Sequence, residues 1–261
     1  MSSVLNAASY RFCPIVDPRK TREDLLIAIE QWPALKGTVL VTPEGLNAFL
    51  AGPEQEVRSC IDWLRCLPGF ENLEVKWSWS DHVPFKRMRV KLKNEIIRMN
   101  NPVIRPFEGR APAAAAATVA NWLAQGHDDQ GRPVVMLDTR NAFEVDLGRF
   151  ENAIDWRIEK FTQFPQALQD HLDELEGKTV VSYCTGGIRC EKAALFMQSL
   201  GLEHVYQLEG GILKYFEEVG GDHWRGDCFV FDERVGLDPA LSALSEREAQ
   251  VSAPPEPAQS R

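Results

Sequence analysis

Along the first hundred residues the spacing of the apolar positions changes several times. Ala8 to Val16 reads as a strand, and Thr21 to Trp32 places Leu25, Leu26 and Ile29 on one helix face. Gly37 to Thr42 and Gly45 to Leu50 are short apolar runs joined around Pro43-Glu44, a hairpin signal. Pro53 to Leu67 returns to helical spacing through Val57, Ile61 and Leu64, and Leu73 to Trp79 and Met88 to Leu92 close the region as strands. The order βαββαβ predicts a ferredoxin-like (acylphosphatase-like) domain over residues 1–100.

Residues 101–125 read as a linker and a helix. Asn101-Pro102 to Pro106 cannot continue regular structure, whereas the alanine run Ala113–Ala117 favours a helix reaching Leu123. Over residues 126–225, apolar strand-like runs (Val134 to Leu137, Thr179 to Tyr183, Val205 to Leu208) alternate with helical stretches (Ile188 to Leu200, Ile212 to Val219). That alternation predicts a parallel sheet covered by helices, an α/β domain. A short extension, 226–236, follows. Residues 237–261 are rich in Ala, Ser, Glu and Pro without apolar periodicity, which predicts a disordered tail.

Composition supports two domains: 261 residues, 44% hydrophobic and 26% charged, are ordinary for a globular chain of that size. No run approaches the roughly 18 apolar residues of a membrane span. Met1-Ser-Ser-Val-Leu-Asn lacks signal-peptide regions, so a cytoplasmic protein without membrane contact is expected. The net charge of −9 is uneven: residues 1–100 carry 14 Lys+Arg against 12 Asp+Glu, and the remainder 15 against 26. An acidic chain is not a default nucleic-acid binder, so such contact is expected from a local patch in the first half. One patch qualifies. Lys86, Arg87, Arg89, Lys91 and Lys93 alternate with apolar residues, either as the solvated face of a half-buried strand or as a stripe for RNA phosphates. Trp77, Trp79 and Phe85 lie near it in sequence as candidate stacking residues, with core packing as the alternative.

The six cysteines form no Cys-x-x-Cys pair and the histidines are scattered, so no metal site is expected. Cys13, Cys60 and Cys66 sit in apolar patterns as core residues. Cys184 differs. A buried strand, Val180-Val181-Ser182-Tyr183, runs into it, and Thr185-Gly186-Gly187-Ile188 then lead to Arg189 and a helix. Successive N–H groups of such a loop form an anion nest, the helix N-terminus adds its dipole, and Arg189 adds a charge. Together they favour a thiolate or persulfide on Cys184. Four residues separate Cys184 from Arg189, one fewer than in the loops of cysteine phosphatases, so the cradle suits sulfur better than a tetrahedral phosphate. Cys190 is either a resolving thiol or a packed first-turn residue. Asp138 and Arg140, at the end of an earlier strand, are candidates for supporting the loop.

This loop, with Leu137-Asp138-Thr139-Arg140 and Val205-Tyr206-Gln207-Leu208-Glu209-Gly210-Gly211, resembles the rhodanese superfamily. Glu44-Gly45-Leu46-Asn47, Pro84-Phe85-Lys86-Arg87-Met88, Gly210-Gly211-Ile212-Leu213-Lys214-Tyr215 and Gly226 to Val235 extend the likeness to residues 8–236. Taken together, these segments resemble the oxygen-dependent tRNA uridine hydroxylases, which convert the wobble uridine to 5-hydroxyuridine. The resemblance implies a rhodanese-like α/β domain behind the ferredoxin-like one and Cys184 as the persulfide-forming active-site cysteine. It also implies tRNA, at its anticodon region, as partner. Longer relatives carry further cysteines beyond this segment, and none follows Cys228 here, so no C-terminal metal module is expected. No cofactor fingerprint is evident, which leaves molecular oxygen and an unidentified reductant as co-substrates. Two alternatives stay open: a sulfurtransferase or persulfide carrier acting through Cys184, and a binding module with a vestigial active loop.

Overall fold

The computed structural model describes residues 4–244. In the first strand, β1 (Val4–Phe12), Leu5 and Ala7 point into a core while Tyr10 points to the opposite face. It is followed by α1 (Pro18–Ile29), β2 (Lys36–Thr42), β3 (Gly45–Gly52), α2 (Glu54–Arg65), β4 (Lys76–Ser80) and β5 (Met88–Leu92). The sheet order is β4-β1-β3-β2-β5; β5 lies parallel to β2 and the other pairs are antiparallel. Leu25 of α1 and Val57, Cys60, Ile61 and Leu64 of α2 share one core with Leu46, Ala48 and Leu50 of β3, so both helices cover the same face. The other face carries no helix of this domain. This is the expected ferredoxin-like frame, with a fifth strand at its edge.

Some boundaries shift for local reasons. β1 starts at Val4, not Ala8, because Val4 pairs with Ser80 and Phe12 with Gly45. α1 starts at Pro18, not Thr21, because the Asp17 carboxylate accepts the Lys20 N–H at 2.9 Å and Pro18 suits the first helical position. Cys60 is buried as expected, but Cys13 is half-buried and Cys66 exposed, because Cys66 caps the end of α2.

The second domain contains β6 (Ala113–Ala114), α3 (Ala116–Gln125), β7 (Val134–Asp138), α4 (Ala142–Val145), β8 (Gly148–Phe150), α5 (Phe164–Asp170), β9 (Thr179–Tyr183), α6 (Ile188–Ser199), β10 (Val205–Leu208) and α7 (Gly211–Glu218). Its sheet, β6-β10-β9-β7, is entirely parallel. Alternation divides the strands between two cores. Leu137 and Val180 meet Ala193 and Met197 of α6, whereas Met136, Val181 and Tyr183 meet Val119 of α3 and Ile212 and Tyr215 of α7. The alanine run opens the helix only from Ala116, with Ala115 as its cap; its first two residues form a strand instead. Ala113 and Ala114 pair in parallel with Gln207 and Leu208, and Gln207 N–H and Nε2 donate to Pro112 and Ala111 carbonyls at 2.9 and 3.1 Å. A free strand edge outweighs helix propensity there.

β11 (Trp224–Gly226) pairs with β8, and β12 (Cys228–Phe229) pairs with β13 (Gly236–Leu237). Residues 237–244, expected at the head of a disordered tail, are instead folded. Leu237 and Ala243 pack with Val230 in a small core of their own. The remainder of that expected tail, 245–261, lies outside the described residues.

The domains are joined by buried charge. Lys192 of α6, 1% exposed, donates to Glu44 at 2.9 Å, to Glu95 at 2.7 Å and to the Ile97 carbonyl at 3.0 Å. Lys192→Ala strands two carboxylates, which retain some contact with water. We expect it to lower unfolding stability by about 2 kcal/mol, read from the midpoint of a urea titration at constant slope. No change would mean that the triad is energetically idle.

Candidate active site

The Cys184 loop is built with its carbonyls outward and its amides inward. The Cys184 carbonyl accepts from Ile212 N–H at 3.0 Å and the Thr185 carbonyl from Leu213 N–H at 3.2 Å, so the start of α7 takes up both. The Gly186 carbonyl accepts from the Lys76 ammonium of β4. With the carbonyls engaged elsewhere, the Gly187 N–H donates to Cys184 Sγ at 3.1 Å. Two glycines are obligatory. A Cβ on Gly211 (φ +70°) would lie 2.5 Å from the Cys184 carbonyl, and one on Gly187 (φ +97°) 2.9 Å from the Tyr10 hydroxyl. The Thr185 hydroxyl donates to the Phe229 carbonyl at 3.2 Å. Ile188 and Gly186 line the cleft described below.

Burial by itself pushes the Cys184 thiol up. The Cys190 thiol as donor, the Arg189 charge and the Arg189 and Gly187 N–H groups outweigh it, bringing Cys184 well below the ordinary thiol range. Cys190 moves the opposite way, through burial and through the negative charge on Cys184, so it stays protonated. Cys228 is pushed up to about 12 by burial.

Arg189 does not stand as a free charge. It forms a bidentate pair with Glu144 at 2.6 and 2.7 Å, both side chains being buried. Behind it, Arg140 pairs with Asp138 at 2.6 Å and donates to the Gly148 carbonyl at 2.7 Å and the Glu144 carbonyl at 3.4 Å. Its guanidinium also lies against the Tyr183 and Trp224 rings. Asp138 and Arg140 therefore sit behind the loop, linked to Cys184 through Glu144 and Arg189. Glu144 has a faint sequence signature, standing third after Asn141, whose N–H it accepts at 3.1 Å as in a helix cap.

Cys184 lines a cleft of about 620 Å³ between the helix-free face of the first sheet and the second domain. Tyr10, Lys76 and Arg110 line it too, and sequence reading missed all three. The Tyr10 hydroxyl donates to Glu191 at 3.1 Å, and Arg110 pairs with Glu191 at 2.7 Å. Burial lowers the Lys76 pKa.

The five basic candidates Lys86, Arg87, Arg89, Lys91 and Lys93 are all exposed. Register relates them to the cleft. Lys91 pairs with Leu40, Leu40 with Asn47 and Asn47 with Tyr10, so Lys91 and Tyr10 share one row on one face of the sheet. Of the aromatic candidates, Trp77 carries the Arg58 guanidinium at 4.8 Å and packs on the first core. Trp79 is exposed at the sheet edge, and Phe85 is half-buried. Among the described residues, no group of three or more His, Cys, Asp and Glu is placed to hold a metal, and no helix is long and apolar enough to cross a membrane.

The UPF0176 acylphosphatase like domain matches residues 4–96, and the Rhodanese-like domain matches residues 119–218. A tRNA uridine(34) hydroxylase of Bordetella petrii is 61% identical over 93% of this chain and 96% of its own length. Proteins of the same name from Bordetella avium and Delftia acidovorans are 61% and 60% identical, covering 93% and 94% of this chain and 100% and 94% of their own. The chain belongs to the tRNA uridine(34) hydroxylase family. In this hydroxylase the rhodanese loop is completed by the other domain, since Tyr10 and Lys76 reach the cleft beside Cys184.

The geometry predicts a Cys184 thiol more acidic than an ordinary one. In a pH series of iodoacetamide alkylation followed by peptide mass spectrometry, the midpoint for Cys184 should fall below the usual thiol value of about 8.5. Cys60, pushed up to about 12, should stay unreactive across that range. Cys190→Ala removes a donor to the thiolate, so the Cys184 midpoint should rise by roughly half to one pH unit. A Cys184 midpoint at or above 8.5 in the unmodified protein contradicts the cradle described here.

Proposed function

We propose that this protein hydroxylates uridine 34, the wobble base in the anticodon of tRNA, to 5-hydroxyuridine, with molecular oxygen as oxidant and Cys184 as nucleophile. The observation that carries the reading is a thiolate-favouring cysteine facing a nucleotide-sized cleft, in a chain about 60% identical over its length to proteins named for that reaction. A cleft of about 620 Å³ suits one small ligand, about 300–1,000 Å³ being usual, and excludes a helical stem. The target base must therefore leave its stack, as an unpaired loop base does most readily.

The Cys184 thiolate adds to C6 of the uracil ring, and the C5–C6 electron pair passes onto C5 and O4 as an enolate. This makes C5 electron-rich enough to take oxygen. Loss of the C5 proton and departure of the thiolate restore the ring. In net terms one oxygen atom enters the base and the other leaves as water, with two electrons from a reductant and two protons from solvent.

Lys76 suits the enolate oxygen. Six basic side chains line the cleft: Arg110, Arg189, Lys214 and Arg234 are in ion pairs with Glu191, Glu144, Glu209 and Asp232, and Arg11 donates to the Asn72 carbonyl at 3.2 Å, away from the Cys184 loop that Lys76 contacts. Lys76 has no carboxylate within pairing distance among the described residues and uses one hydrogen bond on Gly186, so further N–H donors remain. The exposed stripe Lys86, Arg87, Arg89, Lys91 and Lys93 supplies phosphate contacts for the anticodon arm. We place the reaction in the cytoplasm, where free thiols stay reduced.

The test is nucleoside mass spectrometry of tRNA from a deletion strain complemented with wild type, Cys184→Ser or Lys76→Met. Wild type should restore 5-hydroxyuridine, Cys184→Ser none, and Lys76→Met less than a hundredth of the wild-type rate, about 3 kcal/mol of charge stabilisation. If 5-hydroxyuridine persists in the deletion strain while thiolated nucleosides fall, sulfur transfer through Cys184 replaces this reading.

A further inference from the structure

The segment after β11 crosses the mouth of the cleft and is pinned at several points. Phe229 receives the Thr185 hydroxyl, Glu233 N–H donates to the Pro84 carbonyl at 3.2 Å, and Arg234 holds both Asp232 and Ser78 Oγ. On this anchored segment Phe231 is 54% exposed, and nearby Phe143 is 50% exposed. The rings form an edge-to-face row: Phe143 to Phe229 at 5.1 Å and 89°, then Phe229 to Phe231 at 5.1 Å and 83°. Leaving two large rings in water, side by side, costs burial energy that folding would otherwise recover.

Phe231 also stands at a boundary. It lines the cleft that contains Cys184, and it lines a second groove of about 430 Å³ whose charged lining is Lys86, Arg87 and Arg89 with Glu233 and with Asp232, the last neutralised by Arg234. None of these three cations is in an ion pair among the described residues. The exposed ring, the catalytic cleft and an unpaired cationic wall therefore follow one another along one surface. An unpaired base offers a π-face to such a ring, and the chain carrying it needs cations at the spacing of its phosphates.

We propose that Phe231 is a stacking platform for the nucleotide adjacent to the target uridine, with Lys86, Arg87 and Arg89 carrying the phosphates on that side. The occupant is a single-stranded stretch of tRNA; a base pair would hide the face that the ring recognises. This rests on the reading that the target uridine enters the Cys184 cleft. Phe231 separates the two concavities, so a base on it keeps the neighbour from following the target inward and fixes the register of the loop. The ring also lies 5.9 Å from the Arg189 guanidinium, tying the platform to the active loop.

Fluorescence anisotropy with a labelled anticodon stem-loop RNA tests the platform without requiring turnover. Stacking on an aromatic side chain contributes about 1–3 kcal/mol per base, so Phe231→Ala should weaken binding roughly 5- to 150-fold. Phe231→Tyr, which keeps the π-face, should stay within about twofold, and Phe231→Leu should resemble the alanine variant. Combined Lys86→Gln, Arg87→Gln and Arg89→Gln should reduce the slope of log affinity against log salt by about 0.7 for each phosphate no longer neutralised.

Wild-type affinity in a folded Phe231→Ala, or full rescue by leucine, would overturn the proposal. The reaction is judged separately by the nucleoside measurement. A Phe231-dependent affinity in a protein that proves not to form 5-hydroxyuridine would keep the platform and remove the hydroxylase. Intact 5-hydroxyuridine formation with unaltered Phe231→Ala binding would do the reverse.

Discussion

Four buried charged side chains, Asp138, Arg140, Glu144 and Arg189, form the support on which the Cys184 loop rests. Each would be costly to bury alone, and each is matched at 2.6–2.7 Å by an opposite charge. Such pairs add little net stability compared with apolar packing, but they define geometry sharply. Arg140 ties the end of β7 to α4 and β8, Glu144 carries that position to Arg189, and Arg189 sets the field at Cys184. Because Glu144 neutralises Arg189, the thiolate is stabilised largely by oriented dipoles and one shared guanidinium.

The first domain contributes directly to this site. Its sheet has helices on one face, and the other faces the rhodanese-like domain, bringing Tyr10 and Lys76 to the loop. α6 reflects this: Arg189, Cys190, Glu191 and Lys192 are all buried in its first two turns. Arg189 turns to Glu144, Cys190 to Cys184, Glu191 to Tyr10 and Arg110, and Lys192 to Glu44 and Glu95. A helix that buries charge on so many sides is organised by its partners rather than by an apolar stripe. The C-terminal segment closes the third side, binding the loop through Thr185 and the first sheet through Arg234. The cleft is thus a property of all three segments, although only the loop carries Cys184.

The part of this protein legible in its sequence is the local part. β9, the glycine loop and the start of α6 are contiguous, so Cys184, its amides and Arg189 could be read from twelve consecutive residues, and the two strand-helix rhythms were enough for both folds. The rest came from tertiary packing. The partners of Arg189, Lys76 and Tyr10 lie 45, 110 and 181 positions away, and no periodicity carries such distances. The same limit explains Ala113–Ala114, where helix propensity of a few tenths of a kcal/mol yields to a sheet edge the sequence does not display. It explains residues 237–244 as well, whose order comes from a strand pair with β12 and contact with Val230 and not from any apolar pattern of their own. Spacing along a chain encodes which face a side chain takes; which charge it meets there is settled only when the two domains close on one another.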